Sequence, residues 1–374
     1  MIRVFEPRLN IRDIYSVTKT LIKNEISGTS QVVEEFEQKL SNKFDRKYAT
    51  AVSNGSVALD IAFQALGLSE DDEVILPAFT IISCLSAVIR SKAKPVFCDV
   101  DSNTWNMTLK DVKNCYTRKT KAVLMVHTYG LTADAIAISE FCETNNLILI
   151  EDSAEAHGQN LNGKKCGSFG LISTFSFYSN KHITTGEGGV VMTNSKEINN
   201  KIQQMRNLDF TAKERFNHEN LYWNYRIGGM QAALGMSQID SLEKVIKEKI
   251  KQGKYYLQLL ENHQDKFLLP LERYEECENH FWVFGVVLKQ EGIRDQVMEL
   301  MSKRDIETRP FFWPLHLQKF LQNKRDFQKI SLPISEKIGQ NGLYIPIGSH
   351  INKSKQEEII QNLVDIIDNY QFAK

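Results

Sequence analysis

Apolar and polar positions change period along this chain. Residues 14–40 set apolar side chains among charged ones at helical spacing, broken at Ser27-Gly28-Thr29-Ser30. Short apolar runs then take over. Residues 73–77, 95–100, 122–127 and 147–150 read as buried strands, with helical stretches at 81–91 and 135–145 between them. Strands alternating with helices predict an α/β domain around a largely parallel sheet. Residues 230–260 are helical in pattern and dense in Lys and Glu, as a long helix leaving that domain would be. An apolar strand at 281–288 and an amphipathic helix at 357–367 then predict a smaller carboxyl-terminal α/β domain. The expected division is 1–245 and 246–374.

Composition narrows the function classes. The 374 residues are 42% hydrophobic and 25% charged, as in a water-soluble globular protein of two domains. Lys+Arg and Asp+Glu both number 46, so no charge imbalance points to nucleic acid or to a membrane surface. The amino terminus lacks the apolar core of a signal peptide, and no apolar run has membrane-spanning length. The six cysteines show no CxxC pair and no metal-ligand spacing, which predicts reduced core thiols, a cytoplasmic location and no metal.

Ligands of parallel sheets sit beyond the carboxyl ends of the strands. That singles out Pro77-Ala78-Phe79-Thr80, His127-Thr128-Tyr129-Gly130, Glu151-Asp152-Ser153-Ala154-Glu155 and Lys181. The strand Thr174-Phe175-Ser176-Phe177 delivers Lys181 onto a polar turn, and a glycine-rich segment leads to Val190-Val191-Met192. A lysine so placed is a candidate for a Schiff base with an aldehyde cofactor. Asn54-Gly55-Ser56 opens a helix whose first amides suit a phosphate. Asp152, ending an apolar strand, is placed to hold a protonated pyridine nitrogen, and Ser176 to reach the same phosphate. His127 and His157 also follow strands and are read as pocket-lining or structural. His182 is given no chemical role.

These segments, in this order, resemble the pyridoxal-phosphate-dependent sugar aminotransferases of the DegT/DnrJ/EryC1/StrS family, which have the aspartate-aminotransferase fold of type I. The matching words run nearly end to end. They include 53–59, 72–77, 151–158 and 183–189, together with Asn224-Tyr225-Arg226 before Gln231-Ala232-Ala233. The resemblance implies pyridoxal 5'-phosphate as cofactor, with pyridoxamine 5'-phosphate formed in turn. It implies that Lys181 bonds the cofactor and shuttles a proton, and that Asp152 pairs with the pyridinium. Glu155 would lie near the phenolic oxygen, with Gly55, Ser56 and Ser176 on the phosphate. Asn224 would reach the cofactor of a second subunit, so a homodimer with shared sites is expected.

Thr308-Arg309-Pro310-Phe311-Phe312-Trp313-Pro314-Leu315-His316 resembles the substrate segment of a subgroup acting on a GDP-linked sugar, with Arg309 near the diphosphate and His316 near the sugar. The expected reaction moves the amino group of L-glutamate to C4 of a nucleotide-linked 4-keto-6-deoxy sugar, for surface polysaccharide. TDP- or UDP-linked acceptors are the alternatives. One departure stands out: family members commonly have an aromatic residue where Ile81 follows Thr80, so the usual stacking on the cofactor ring is lost here. Some relatives are sugar 3-dehydratases with histidine in the lysine's place. Aligning on Ile183-Thr184 puts Lys181 there, and His182 one position on. A DNA-binding regulator would need a basic patch or an added domain, and the chain offers neither.

Overall fold

The computed structural model describes residues 1–210, 216–322 and 330–372, excluding the side chains of 370–372. Its centre is a seven-stranded sheet. The strands in chain order are β1 (Tyr48–Val52), β2 (Glu73–Pro77), β3 (Lys94–Cys98), β4 (Thr120–Val126) and β5 (Ile148–Asp152). A small hairpin, β6 (Asn160–Leu161) and β7 (Lys164–Lys165), precedes β8 (Ile172–Ser176) and β9 (Gly189–Thr193). The spatial order is β1-β9-β8-β5-β4-β2-β3. β9 runs against both its neighbours, and every other pairing in the sheet is parallel. The carboxyl ends of β2, β4, β5 and β8 therefore open on one side, where parallel sheets take their ligands.

Helices cover both faces. Gln31–Lys43 buries Phe36 and Leu40 against Phe177 and Val190, while Gly55–Leu66 and Ile82–Arg90 pack on the opposite face of the sheet. The expected break near residues 27–30 is there, separating Gln31–Lys43 from Ile11–Ile22, whose start is a reciprocal cap between Asn10 and Asp13. Asn54 caps Gly55–Leu66 by accepting the Val57 amide at 2.9 Å.

The helix Gly229–Leu259 has 31 residues and joins two cores. Ile239, Leu242 and Ile246 pack with Phe36 and Phe177 of the first. Tyr256 packs with Phe267, Phe284 and Leu343 of the second. That second body holds an antiparallel sheet of order β10-β13-β15-β14, formed by β10 (Phe267–Leu268), β13 (Phe284–Leu288), β14 (Arg309–Pro310) and β15 (Gly342–Ile345). The hairpin of β11 (Arg273–Tyr274) and β12 (Cys277–Glu278) reaches back to the first body, where Tyr274 and Cys277 pack with Met107, Leu131 and Leu161. The helix Lys353–Phe372 closes this core. The amino terminus belongs there as well: Ile2 pairs with Ile306, and the Val4 amide donates to Glu307 at 3.1 Å.

The strand expected from residue 281 begins only at Phe284. Asn279 accepts the Phe281 amide at 2.8 Å and Phe281 takes φ +47, so the chain turns before it extends. No described helix is long and apolar enough to cross a membrane.

Two predictions follow from the helix that joins the cores. A Cβ on Gly253 would come within 2.4 Å of the Phe281 ring carbon nearest its own Cβ. Gly253→Ala should therefore lower stability by about 1–3 kcal/mol in chemical denaturation, despite alanine's better helix propensity. Lys249 is buried on the same helix, and its Nζ donates to the carbonyls of Trp282 (3.0 Å) and Ile347 (3.4 Å). Burial lowers its pKa to about 7. Between pH 7 and the unfolded value of about 10.4, the unfolded chain holds a proton that the folded one has shed, so rising pH favours folding. Wild type should therefore gain on Lys249→Met by up to about 1.4 kcal/mol per pH unit across that window, measured by denaturation at pH 7, 8 and 9.5.

Candidate active site

Side chains alternate across a strand, so Glu151 and Asp152 at the end of β5 face opposite ways. Glu151 points down and is fully buried. It accepts from His127 Nε2 (2.9 Å), the Phe169 amide (2.8 Å), the Gly170 amide (3.1 Å) and the Gly167 amide. Burial alone would raise its pKa, but His127 and the backbone amides outweigh it and hold the carboxylate below its ordinary range. The Ala133 amide donates to His127 Nδ1 at 3.1 Å, so Nε2 carries the hydrogen and the ring is neutral.

Asp152 points up into a cleft of about 540 Å³. Its Oδ1 accepts the Ala154 amide at 3.0 Å, while among the described residues Oδ2 has only the Cys84 thiol, a weak donor, at 3.4 Å. Burial raises its pKa against the pull of the Ala154 amide and Lys181. Across the cleft, Lys181 brings its Nζ 3.6 Å from Glu155 Oε1. Glu155 also accepts the Tyr129 amide at 3.0 Å, and burial lifts its pKa to about 7. Burial lowers the lysine's pKa, while Glu155 and Asp152 oppose the shift. The result is an amine and two carboxyls, all nearly dry, each of whose charged forms burial disfavours.

At the other end of the cleft the Gly55–Leu66 helix points its amino terminus inward. Gly55 and Ser56 line the cleft with Ser176. A Cβ on Gly55 would lie 2.7 Å from Ser176 Cβ, so the close approach of the helix start to β8 requires glycine. The first amides of a helix lack intrahelical partners and attract anions. Ser56 Oγ is 2.6 Å from Ser83 Oγ, a second hydroxyl on this rim.

These features fit pyridoxal 5'-phosphate: a cradle too tight for a Cβ where a phosphate belongs, a buried carboxylate oxygen with only a thiol for company, and an amine opposite. Ile81 lies on the cleft wall, as do Val126 and His127.

The structure brings together Gly55, Ser56, Asp152, Glu155, Ser176 and Lys181. It does not bring in the remaining three. Asn224 is exposed and accepts the Arg226 amide at 3.2 Å, away from the cleft of its own chain. Arg309 pairs with Glu307 at 3.1 Å and lies over the Phe5 ring. His316 is buried, with Nε2 3.1 Å from Glu336, and its ring tilts against Phe97. Neither Arg309 nor His316 is among the residues that line the cleft; Phe312 is the residue of that segment that reaches it.

Trp282 and Tyr344 complete the wall and carried no signal in the sequence beyond being apolar. Their place depends on how the second body docks. His182 turns away from the cleft and packs with His157 and His280, and His157 accepts the Ile183 amide at 3.2 Å.

Comparison with known proteins agrees with this geometry. The DegT/DnrJ/EryC1/StrS aminotransferase family matches residues 8–364. A GDP-perosamine synthase of Vibrio cholerae is 35% identical over 92% of this chain and 94% of its own. An aminotransferase structure from Psychrobacter cryohalolentis superposes with a TM-score of 0.89 at 26% identity, covering 98% of both chains. A mutant GDP-4-keto-6-deoxymannose-3-dehydratase with bound GDP-perosamine shares the fold, with a TM-score of 0.87 at 24% identity over 97% of this chain and all of its own (100%). The chain belongs to the DegT/DnrJ/EryC1/StrS aminotransferase family and is a pyridoxal-phosphate-dependent transaminase of fold type I.

Proposed function

We propose that this sugar aminotransferase moves the amino group of L-glutamate to C4 of a nucleotide-linked 4-keto-6-deoxy sugar, with GDP-4-keto-6-deoxy-D-mannose as acceptor. The observation that carries the reading is the convergence of Lys181, Asp152 and Glu155 in one cleft. The likeness to a GDP-perosamine synthase over most of both chains supports the acceptor.

Bound pyridoxal phosphate supplies an aldehyde that exchanges with amines and a ring that takes up the electron pair of a neighbouring carbon. Gly55, Ser56 and Ser176 would hold its phosphate, and Asp152 its ring nitrogen. A cation at that nitrogen gives Asp152 the charged partner its burial demands. Lys181 Nζ takes and returns the proton at the reacting carbon, and its burial keeps the amine from being locked in its charged form. Glu155, beside it, is the nearest group with which that proton can be shared. Ile81, Phe312, Trp282 and Tyr344 make an apolar wall that excludes water and suits a sugar whose C6 is a methyl group.

Asn224 is proposed to act in the site of a second copy. Its exposure supports this, as do the apolar side chains Ile11, Ile14, Tyr15, Leu221 and Trp223, which one copy leaves exposed. The six cysteines form no disulfide, which supports a reducing compartment and hence the cytoplasm. We also propose a domain boundary within Gly229–Leu259, near 245–246, between the residues that serve the two cores. Dehydration is the weaker reading, because Lys181 and not His182 faces the cleft.

Lys181→Ala should lower glutamate-dependent turnover by at least about a thousandfold while leaving the circular dichroism spectrum and melting temperature near wild type. Offered glutamate with GDP-, TDP- and UDP-linked 4-keto-6-deoxy sugars, the enzyme should yield the amino sugar from the GDP substrate fastest, as read by mass spectrometry. Loss of the keto sugar without amine in the product would refute transamination. Preference for TDP or UDP would refute the acceptor alone.

A further inference from the structure

Lys181 lies against an aromatic face to which the reaction above gives no part beyond excluding water. Trp282 precedes β13 and is 5% exposed. The centre of its ring is 3.7 Å from Lys181 Nζ. The indole is held at both ends. Its N–H donates to the Asn180 carbonyl at 3.0 Å, one residue before the lysine. Its backbone carbonyl accepts from Lys249 at 3.0 Å. Gly130, at φ +102, leaves the room the turn needs, since a Cβ there would stand 2.8 Å from the Trp282 amide. Tyr129 backs the ring at 5.9 Å. The face is therefore built into the site.

A π face attracts an ammonium and does little for a neutral amine. The groups around Lys181 can be named from each side. Asp152 and Glu155, from the end of β5 and the turn after it, favour its charged form. His157, His182 and His280, packed behind it, are held uncharged by burial. Lys249, from the long helix, spends its donors on the carbonyls of Trp282 and Ile347. The indole thus acts in the same direction as the two acids and against burial, and its ring centre, at 3.7 Å, stands about as near the amine as Glu155 Oε1, at 3.6 Å.

We propose that Trp282 is a positioning residue for Lys181: its indole face receives the ε-ammonium that the free lysine becomes once it has taken up a proton, and holds it beside Glu155 until that proton is returned. The proposal rests on reading Lys181 as the catalytic amine. It gives the lysine a defined resting place between its two encounters with the cofactor, supplied by the second body of the molecule.

The test is trace acetylation of the full-length, cofactor-free protein with acetic anhydride from pH 6 to 11, with the extent at Lys181 read by mass spectrometry. Trp282→Leu should lower the midpoint of the labelling curve by about one pH unit. Trp282→Phe keeps a π face but loses the N–H, and should stay close to wild type. An unchanged midpoint in Trp282→Leu overturns the proposal. So does an equal fall in the Phe and Leu variants, which would assign the effect to the bond with Asn180. Should Trp282→Leu not fold, Trp282→Met, flexible and without a ring, takes its place. Separately, borohydride reduction with pyridoxal phosphate should mark Lys181 in the wild type. A mark on a different lysine removes the reading of Lys181, and the proposal with it, whatever the acetylation curve.

Discussion

A charge taken out of water must be met by partners, and the site is arranged around that demand on β5. Two successive carboxyls are buried there on opposite faces of one strand. Glu151 is met from below by a neutral histidine and three backbone amides, which fixes the loop at 167–170 and the ring of His127. Asp152 is deliberately less well met. Its second oxygen has a thiol and little else, so the strand end holds an acceptor that a cationic ring can complete. The same argument covers Lys181 and Glu155, which are each other's nearest charged partners in a nearly dry cleft. The electrostatics of the cleft thus follow from where β5 and β8 end.

Much of this was legible in the sequence, for a physical reason. Strand periodicity locates strand ends, and parallel sheets place ligands there, so Asp152, Glu155, Ser176 and Lys181 could be found without contacts. Gly55 was legible as a helix start, but the reason it must be glycine, the approach to Ser176, is a tertiary fact. Arg309 and His316 show the limit. Their segment contributes Phe312 to the cleft wall, but sequence cannot say which side chains turn inward. Glu307 pairs with Arg309, and Glu336 lies within hydrogen-bond distance of His316. Trp282 was hidden inside an apolar run that looked like a strand; a turn at Asn279 and Phe281 frees it to face Lys181.

The aliphatic Ile81 in the cleft wall bears on how the cofactor would be gripped. Without aromatic stacking on that side, more of the hold falls to the phosphate cradle and to Asp152. Covering surface comes instead from the second body, through Trp282, Phe312 and Tyr344. Affinity and docking of the two bodies are then coupled: whatever loosens the second body also uncovers the amine.

The pairing of Ile2 with Ile306 has a mechanical side. Ile2 and Ile367 pack on one core, so the sheet that carries the cleft is a long excursion that leaves this core and returns to it. Force drawn through the two ends of the fold would load the smaller core first and peel it, shielding the seven-stranded sheet until that core gives way. In an optical trap such a molecule would rupture in two steps, with the part that holds Gly55 and Lys181 breaking last.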